Sequence, residues 1–239
     1  MSGHSKWKTI KHKKAAQDAK RGKAFTKLIK EITVVARDGG GDPNGNPRLR
    51  MLMEKAKAIN MPLDNVTRAV KKGTGELPGQ AFEAIGYEGY GPGGIAVMVE
   101  ALTDNKNRTV SDMRHIFSKA GGSLGESGSV NWMFERKGSL TLKADGKNED
   151  DLLELLLDYD LSDIRKDDHL FIIYCDPKAT GAVKHALEQQ KGIIVESADL
   201  EWVAKDPLEL SEEASAQAVE FLELLDDHDD VQNVYTNLA

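Results

Sequence analysis

The residues best equipped for chemistry stand at the start of the chain. Residues 1–30, MSGHSKWKTIKHKKAAQDAKRGKAFTKLIK, hold ten Lys or Arg and one acid, Asp18. Lys6, Lys8, Lys11, Lys13, Lys14, Lys20, Arg21 and Lys23 are candidate phosphate partners, with His12 close enough in sequence to bond a phosphate oxygen or sugar. Each cation that neutralises a phosphate releases counterions, so affinity should fall steeply with salt. Trp7 sits between Lys6 and Lys8. A tryptophan in such a polar setting is expected to be exposed and able to stack on a base.

A second, weaker candidate is a surface patch of Tyr87, Tyr90, Asn105 and Arg108 around a strand–helix corner, where α/β folds place ligands. The plainer reading of Asn105 and Arg108 is a helix cap with a local ion pair. Other stretches carry less. YEGYGPGG (87–94) lacks phosphate-loop spacing, and Pro92 removes an amide donor. Ser127, in GESG, has no His and Asp placed to activate it. Asp226, Asp227, His228, Asp229 and Asp230 lack the glycine of a calcium loop and read as a solvated turn. Cys175 is the single cysteine, expected to be a buried thiol, and no Cys/His zinc spacing exists. No catalytic residue, metal, cofactor or small-molecule substrate is therefore expected, and the chain is not read as an enzyme.

Charge is strongly divided. Residues 1–75 carry 18 basic and 6 acidic side chains, a net of +12, whereas residues 76–239 carry 14 and 33, a net of −19. A basic head on an acidic body can approach a polyanion in one orientation. No run of apolar residues is long enough for a membrane span. The basic start is not followed by an apolar stretch, so it is read as mature protein and not as a secretory signal, with a cytoplasmic location expected.

The elements that must position these residues follow from periodicity. Phe25, Leu28, Ile29, Ile32, Val35 and Ala36 keep helical spacing to Gly39. Asn46-Pro47 starts a second helix carrying Leu49, Leu52, Met53, Ala56 and Ile59, and Asn60 ends it. Pro62 opens a third, with Leu63, Val66 and Val70 inward. Residues 2–20 hold too few apolar positions to bury themselves, so they are expected to be mobile or weakly helical. Removing residues 1–24 is expected to leave the α/β lobes folded, because this segment contributes little core.

Beyond the linker GTGELPGQ the pattern turns to strands, with Gly94–Thr103 a central one, a helix over Asn107–Ala120, and alternation of Val130, Trp132 and Phe134. Residues 138–203 then read β-α-β-β-α-β, the ferredoxin-like split unit. Its central strands lack the aromatic and basic signature of an RNA-recognition module. A last helix after Ser211 and a strand at Val231–Thr236 cannot form a domain alone, so they are assigned back to the earlier strands. The expected fold is α+β in three domains: a basic helical bundle (1–75), a middle α/β domain (76–136 with 204–239), and a ferredoxin-like α/β domain (137–203) inserted in the middle one.

Four long motifs carry a family resemblance: GHSKWKTIKHKKAAQDAKRGKAFTKLIKEI, YEGYGPGG with EALTDNKNRT, GSVNWMFERKG, and DDVQNVYTN. Together they resemble the YebC family along the whole chain. The resemblance implies a cytoplasmic three-domain protein with a helical N-terminal domain and two α/β domains. It implies a probable transcriptional regulator that binds DNA. It also implies an alternative, since mitochondrial relatives act as translational activators and bacterial ones are linked to ribosomes stalled on proline-rich sequences. In that case ribosomal RNA and ribosomal proteins are the partners. No catalytic residues come with the family.

Overall fold

The computed structural model describes residue 7, residues 19–167 and residues 169–239. Three helices open it: α1 (Ala19–Gly39), α2 (Pro47–Ala58) and α3 (Leu63–Gly73). Their apolar stripes meet in one cluster, in which Leu28, Ile32 and Val35 of α1 pack on Leu49, Leu52, Val66 and Ala69. Asn46 locks the first turn between them. Its carboxamide oxygen accepts from Leu49 N at 3.0 Å and caps α2. Its amide donates to the carbonyls of Val35 and Gly40 at 3.0 and 2.9 Å, satisfying the open end of α1. Pro47 occupies the first position of α2, where no amide is needed. Leu63, expected inward, is 70% exposed, because α3 begins at this residue and turns it outward.

The first sheet contains β1 (Glu83–Tyr90), β2 (Ala96–Thr103), β3 (Ser123–Leu124) and β8 (Val231–Thr236), in the order β3-β1-β2-β8 with antiparallel pairing throughout. The helices α4 (Lys106–Lys119) and α7 (Glu212–Asp226) cover one face, burying Val97, Val99, Met113, Phe117, Phe221 and Leu225. Phe117 and Phe221 meet edge to face at 5.0 Å. The return of the last helix and strand to the early strands is as the sequence implies.

The second sheet contains β4 (Phe134–Ala144), β5 (Leu161–Asp167), β6 (Leu170–Cys175) and β7 (Ile193–Ala204), with α5 (Glu149–Leu155) and α6 (Thr180–Glu188) between them. Its antiparallel order β5-β6-β4-β7 is that of the split β-α-β unit. Leu140, Leu142, Phe171 and Ile173 face α5 and α6. On the opposite face Thr141, Ile172, Tyr174 and Val203 are buried as well. That face, where RNA-recognition modules stack bases, is therefore not open to a ligand.

Glu100 of β2 joins the two sheets. Its carboxylate accepts from Arg136 of β4, Trp202 of β7, and Asn233 and Tyr235 of β8, at 2.9 to 3.2 Å. Burial alone would raise its pKa. The hydrogen bonds from Asn233, Arg136 and Tyr235 outweigh burial and lower it.

The stretch 129–134 differs from expectation. Asn131–Met133 is a single 3₁₀ turn, and β4 starts only at Phe134. The cause is Glu88, a buried carboxylate on β1 that accepts from the backbone amides of Gly128, Val130 and Asn131, each at 2.9 Å. Three amides converging on one carboxylate curl the segment, and the apparent two-residue alternation is broken.

Candidate nucleic-acid interface

The sequence-predicted site divides into three parts. Lys6, Lys8, Lys11, His12, Lys13 and Lys14 lie outside the described residues, as do the side chains of Lys20 and Arg21. Trp7 is described, and its expected exposure is corrected. It is 6% exposed, belongs to the core cluster of the first sheet, and donates from Nε1 to the Val234 carbonyl of edge strand β8 at 3.2 Å. A large ring whose one polar atom finds a backbone partner is a core residue, whatever the charge of its sequence neighbours. Base stacking by Trp7 is incompatible with this position, and the expectation that residues 1–24 contribute little core does not hold at Trp7.

Lys23 is half exposed and makes contacts within the molecule. Lys23, Lys27 and Lys30 follow helical spacing and line one face of α1, against the turn after α7. Lys23 Nζ lies 3.4 Å from the Asp227 carboxylate and donates to its carbonyl at 3.1 Å. Lys27 reaches the Asp226 carbonyl at 2.8 Å and carboxylate at 3.2 Å. Lys30 reaches the Asp230 carboxylate at 2.8 Å and the Asp229 carbonyl at 3.0 Å. Cations are favoured at the carbonyl end of a helix, and these three dock α1 onto the C-terminus of α7.

Asp230 is the centre of this joint, which overturns its reading as part of a solvated turn. Its buried carboxylate accepts from Lys30 Nζ, Arg108 Nη2 and Thr109 Oγ1, each at 2.8 Å, and from Thr103 Oγ1 at 3.2 Å. Burial would raise its pKa. The hydrogen bonds from Lys30, Arg108 and Thr109 overcome that and hold it well below the usual carboxylate range.

The strand–helix corner patch is structural on three of its four residues. Asn105 caps α4 by accepting from Arg108 N at 3.1 Å. Arg108 bridges Asp104 and Asp230, at 2.9 and 2.8 Å. Tyr87 is buried in the first-sheet core. Tyr90, Asn105 and Arg108 are exposed, and of these only Tyr90 neither caps a helix nor pairs with an acid among the described residues.

Sequence reasoning missed the cations that remain available. Arg48, Arg50 and Lys57 of α2 and Arg68, Lys71 and Lys72 of α3 are exposed. Among the described residues none of the six forms an ion pair. Arg68, Lys71 and Lys72 stand at i, i+3 and i+4, so they share one face of α3, and that spacing was the signal to notice. Arg50 and Lys57 flank an open groove of about 680 Å³ between α2 and the start of α3, floored by Met53, Met61 and Val66. No cluster of His, Cys, Asp and Glu suited to a metal ion occurs among the described residues, and no described helix is long and apolar enough to cross a membrane.

A cationic three-helix head carried on two antiparallel α+β sheets defines the class. Residues 5–76 match the model for the TACO1/YebC protein N-terminal domain, and residues 82–238 match that for the TACO1/YebC second and third domain. The chain belongs to the TACO1/YebC family. It is 54% identical to a probable transcriptional regulatory protein, CT1665, of Chlorobaculum tepidum, over all of this chain and 95% of that one. A probable transcriptional regulatory protein of Chloroherpeton thalassium is 55% identical over the same shares. The crystal structure of a conserved hypothetical protein, Aq1575, from Aquifex aeolicus aligns with a TM-score of 0.84 at 46% identity, covering 93% of this chain and 91% of that one.

Proposed function

We propose that this protein is a regulator of gene expression that binds nucleic acid through its helical head, with DNA as the polymer and transcription as the stage controlled. The observation that carries this reading is the set of six exposed cations on α2 and α3 that form no ion pair among the described residues, on a chain whose residues 76–239 have a net charge of −19. Such a surface attracts phosphate while the body repels it, which orients the complex. The names of the relatives support the transcriptional stage. The division into domains at 1–75, 76–136 with 204–239, and 137–203 belongs to the same proposal, as does a cytoplasmic location.

One observation favours a second reading, in which the head grips ribosomal RNA and the acidic body faces ribosomal proteins. The exposed positions of α3 are Leu63, Asp64, Thr67, Arg68, Lys71 and Lys72, rich in phosphate partners and without the Asn or Gln that reads adenine. Sedimentation of the tagged protein from native lysate, with and without RNase, separates the two. Protein that stays at the top of the gradient and shifts promoter fragments over competitor DNA supports the transcriptional reading. RNase-sensitive migration with ribosomal particles supports the translational one. A protein that does neither, at low salt, overturns both.

A further inference from the structure

Among the described residues, two large aromatic side chains stand exposed: Tyr90 at 38% and Trp132 at 63%. They are neighbours, because both polar tips point at one atom. Trp132 Nε1 donates to the Ser129 carbonyl at 3.1 Å, and Tyr90 Oη donates to the same oxygen at 3.4 Å. The carbonyl belongs to the segment that Glu88 pins through three backbone amides, so the rings are presented on a held support. At their edge Lys205 donates from Nζ to the Trp132 carbonyl at 2.8 Å. Neither ring belongs to a core cluster.

We propose that Tyr90 and Trp132 form a second contact of the protein with nucleic acid, a platform on which an unpaired base stacks. This rests on the reading of the head as a nucleic-acid binder and extends it to the far end of β1 from the joint with α1. The chemistry of the surroundings selects the occupant. Glu126, three residues before Ser129, and Asp206, next to Lys205, are both exposed, and residues 76–239 are strongly acidic. A phosphate chain lying across this surface is repelled. A base is neutral, offers a π-face to either ring, and can be presented from a strand whose phosphates the head holds. In a duplex that face is already occupied by its neighbours. The platform therefore adds affinity for single strands without adding to the salt dependence, which distinguishes it from every lysine contact.

The test uses the full chain, with labelled oligothymidylate, oligouridylate and a blunt duplex, each of about 20 nucleotides, followed by anisotropy at rising salt. Trp132→Leu should weaken single-strand binding roughly fivefold to a hundredfold while leaving duplex binding and the salt slope unchanged. Trp132→Phe and Tyr90→Phe, which keep a ring, should retain most of the affinity. Single strands should quench wild-type tryptophan emission, since Trp7 is buried and Trp202 partly so, and Trp132→Leu should abolish the quenching. The stronger of the two single strands identifies the polymer. Single-strand affinity unchanged in a Trp132→Leu protein of normal melting temperature overturns the platform and leaves the head reading intact. So does an equal loss on duplex, or quenching by a basic peptide but not by either oligonucleotide. A wild-type protein that binds none of the three probes at low salt overturns both.

Discussion

Two basic faces of the helical head carry similar charge and have opposite fates. On α1, Lys23, Lys27 and Lys30 are taken up by Asp226, Asp227 and Asp230 and by carbonyls at the end of α7. On α3, Arg68, Lys71 and Lys72 meet no acid among the described residues. A count of lysines along the chain treats the faces alike. Only the fold separates cations that hold the molecule together from cations free to hold a partner.

The largest expected effect removes the anchor nearest the docked face. Trp7→Ala empties a core position and should cost roughly 3–5 kcal/mol, lowering the melting temperature by about 6–20 °C. Calorimetry that finds no change would move Trp7 out of the core. Asp230→Ala comes next, at about 2–4 kcal/mol, because Lys30, Arg108 and Thr109 lose a shared acceptor. This carboxyl also sets an acid limit. Its folded pKa is depressed, so its contribution is complete above the ordinary unfolded value of about 4 and is lost as pH falls through the folded one. Urea unfolding of Asp230→Asn should show weaker pH dependence below about pH 4 than the wild type. Equal slopes would remove Asp230 from the joint's electrostatics. The α3 face behaves differently, since Arg68→Ala, Lys71→Ala and Lys72→Ala combined should change the stability by no more than about 1.5 kcal/mol. The smallest effect belongs to Lys23→Ala, whose half-exposed pair with Asp227 contributes about 0–1 kcal/mol. A larger loss would mean that the docking depends on the rim of the joint more than on its buried centre.

Much of this arrangement was legible in the sequence, and the remainder was hidden for definite reasons. Asn46-Pro47 marks a helix start by local chemistry, and the β-α-β-β-α-β order of residues 138–203 follows from periodicity, so both appear in the structure. Trp7 could not be read, because its partner Val234 is 227 residues away and its sequence neighbours are lysines. Asp230 stands in a run of acids that looks solvated, and its burial depends on α1, α4 and the end of β2 converging on it. The 3₁₀ turn at Asn131–Met133 imitates strand alternation, and the carboxylate that curls it sits on another strand. Local signals specify elements. They do not specify which charges those elements bring together.

The central claim is that the α3 face, and not the docked α1 face, meets phosphate. The most direct test is the salt dependence of nucleic-acid binding by the wild type, by Arg68→Ala/Lys71→Ala/Lys72→Ala, and by Lys23→Ala/Lys27→Ala. If each phosphate contact releases counterions, the triple variant should flatten the log–log slope by about 2.7 on a duplex, and the double variant should leave it nearly unchanged. A slope untouched by the α3 substitutions, or flattened instead by those at Lys23 and Lys27, would contradict the account.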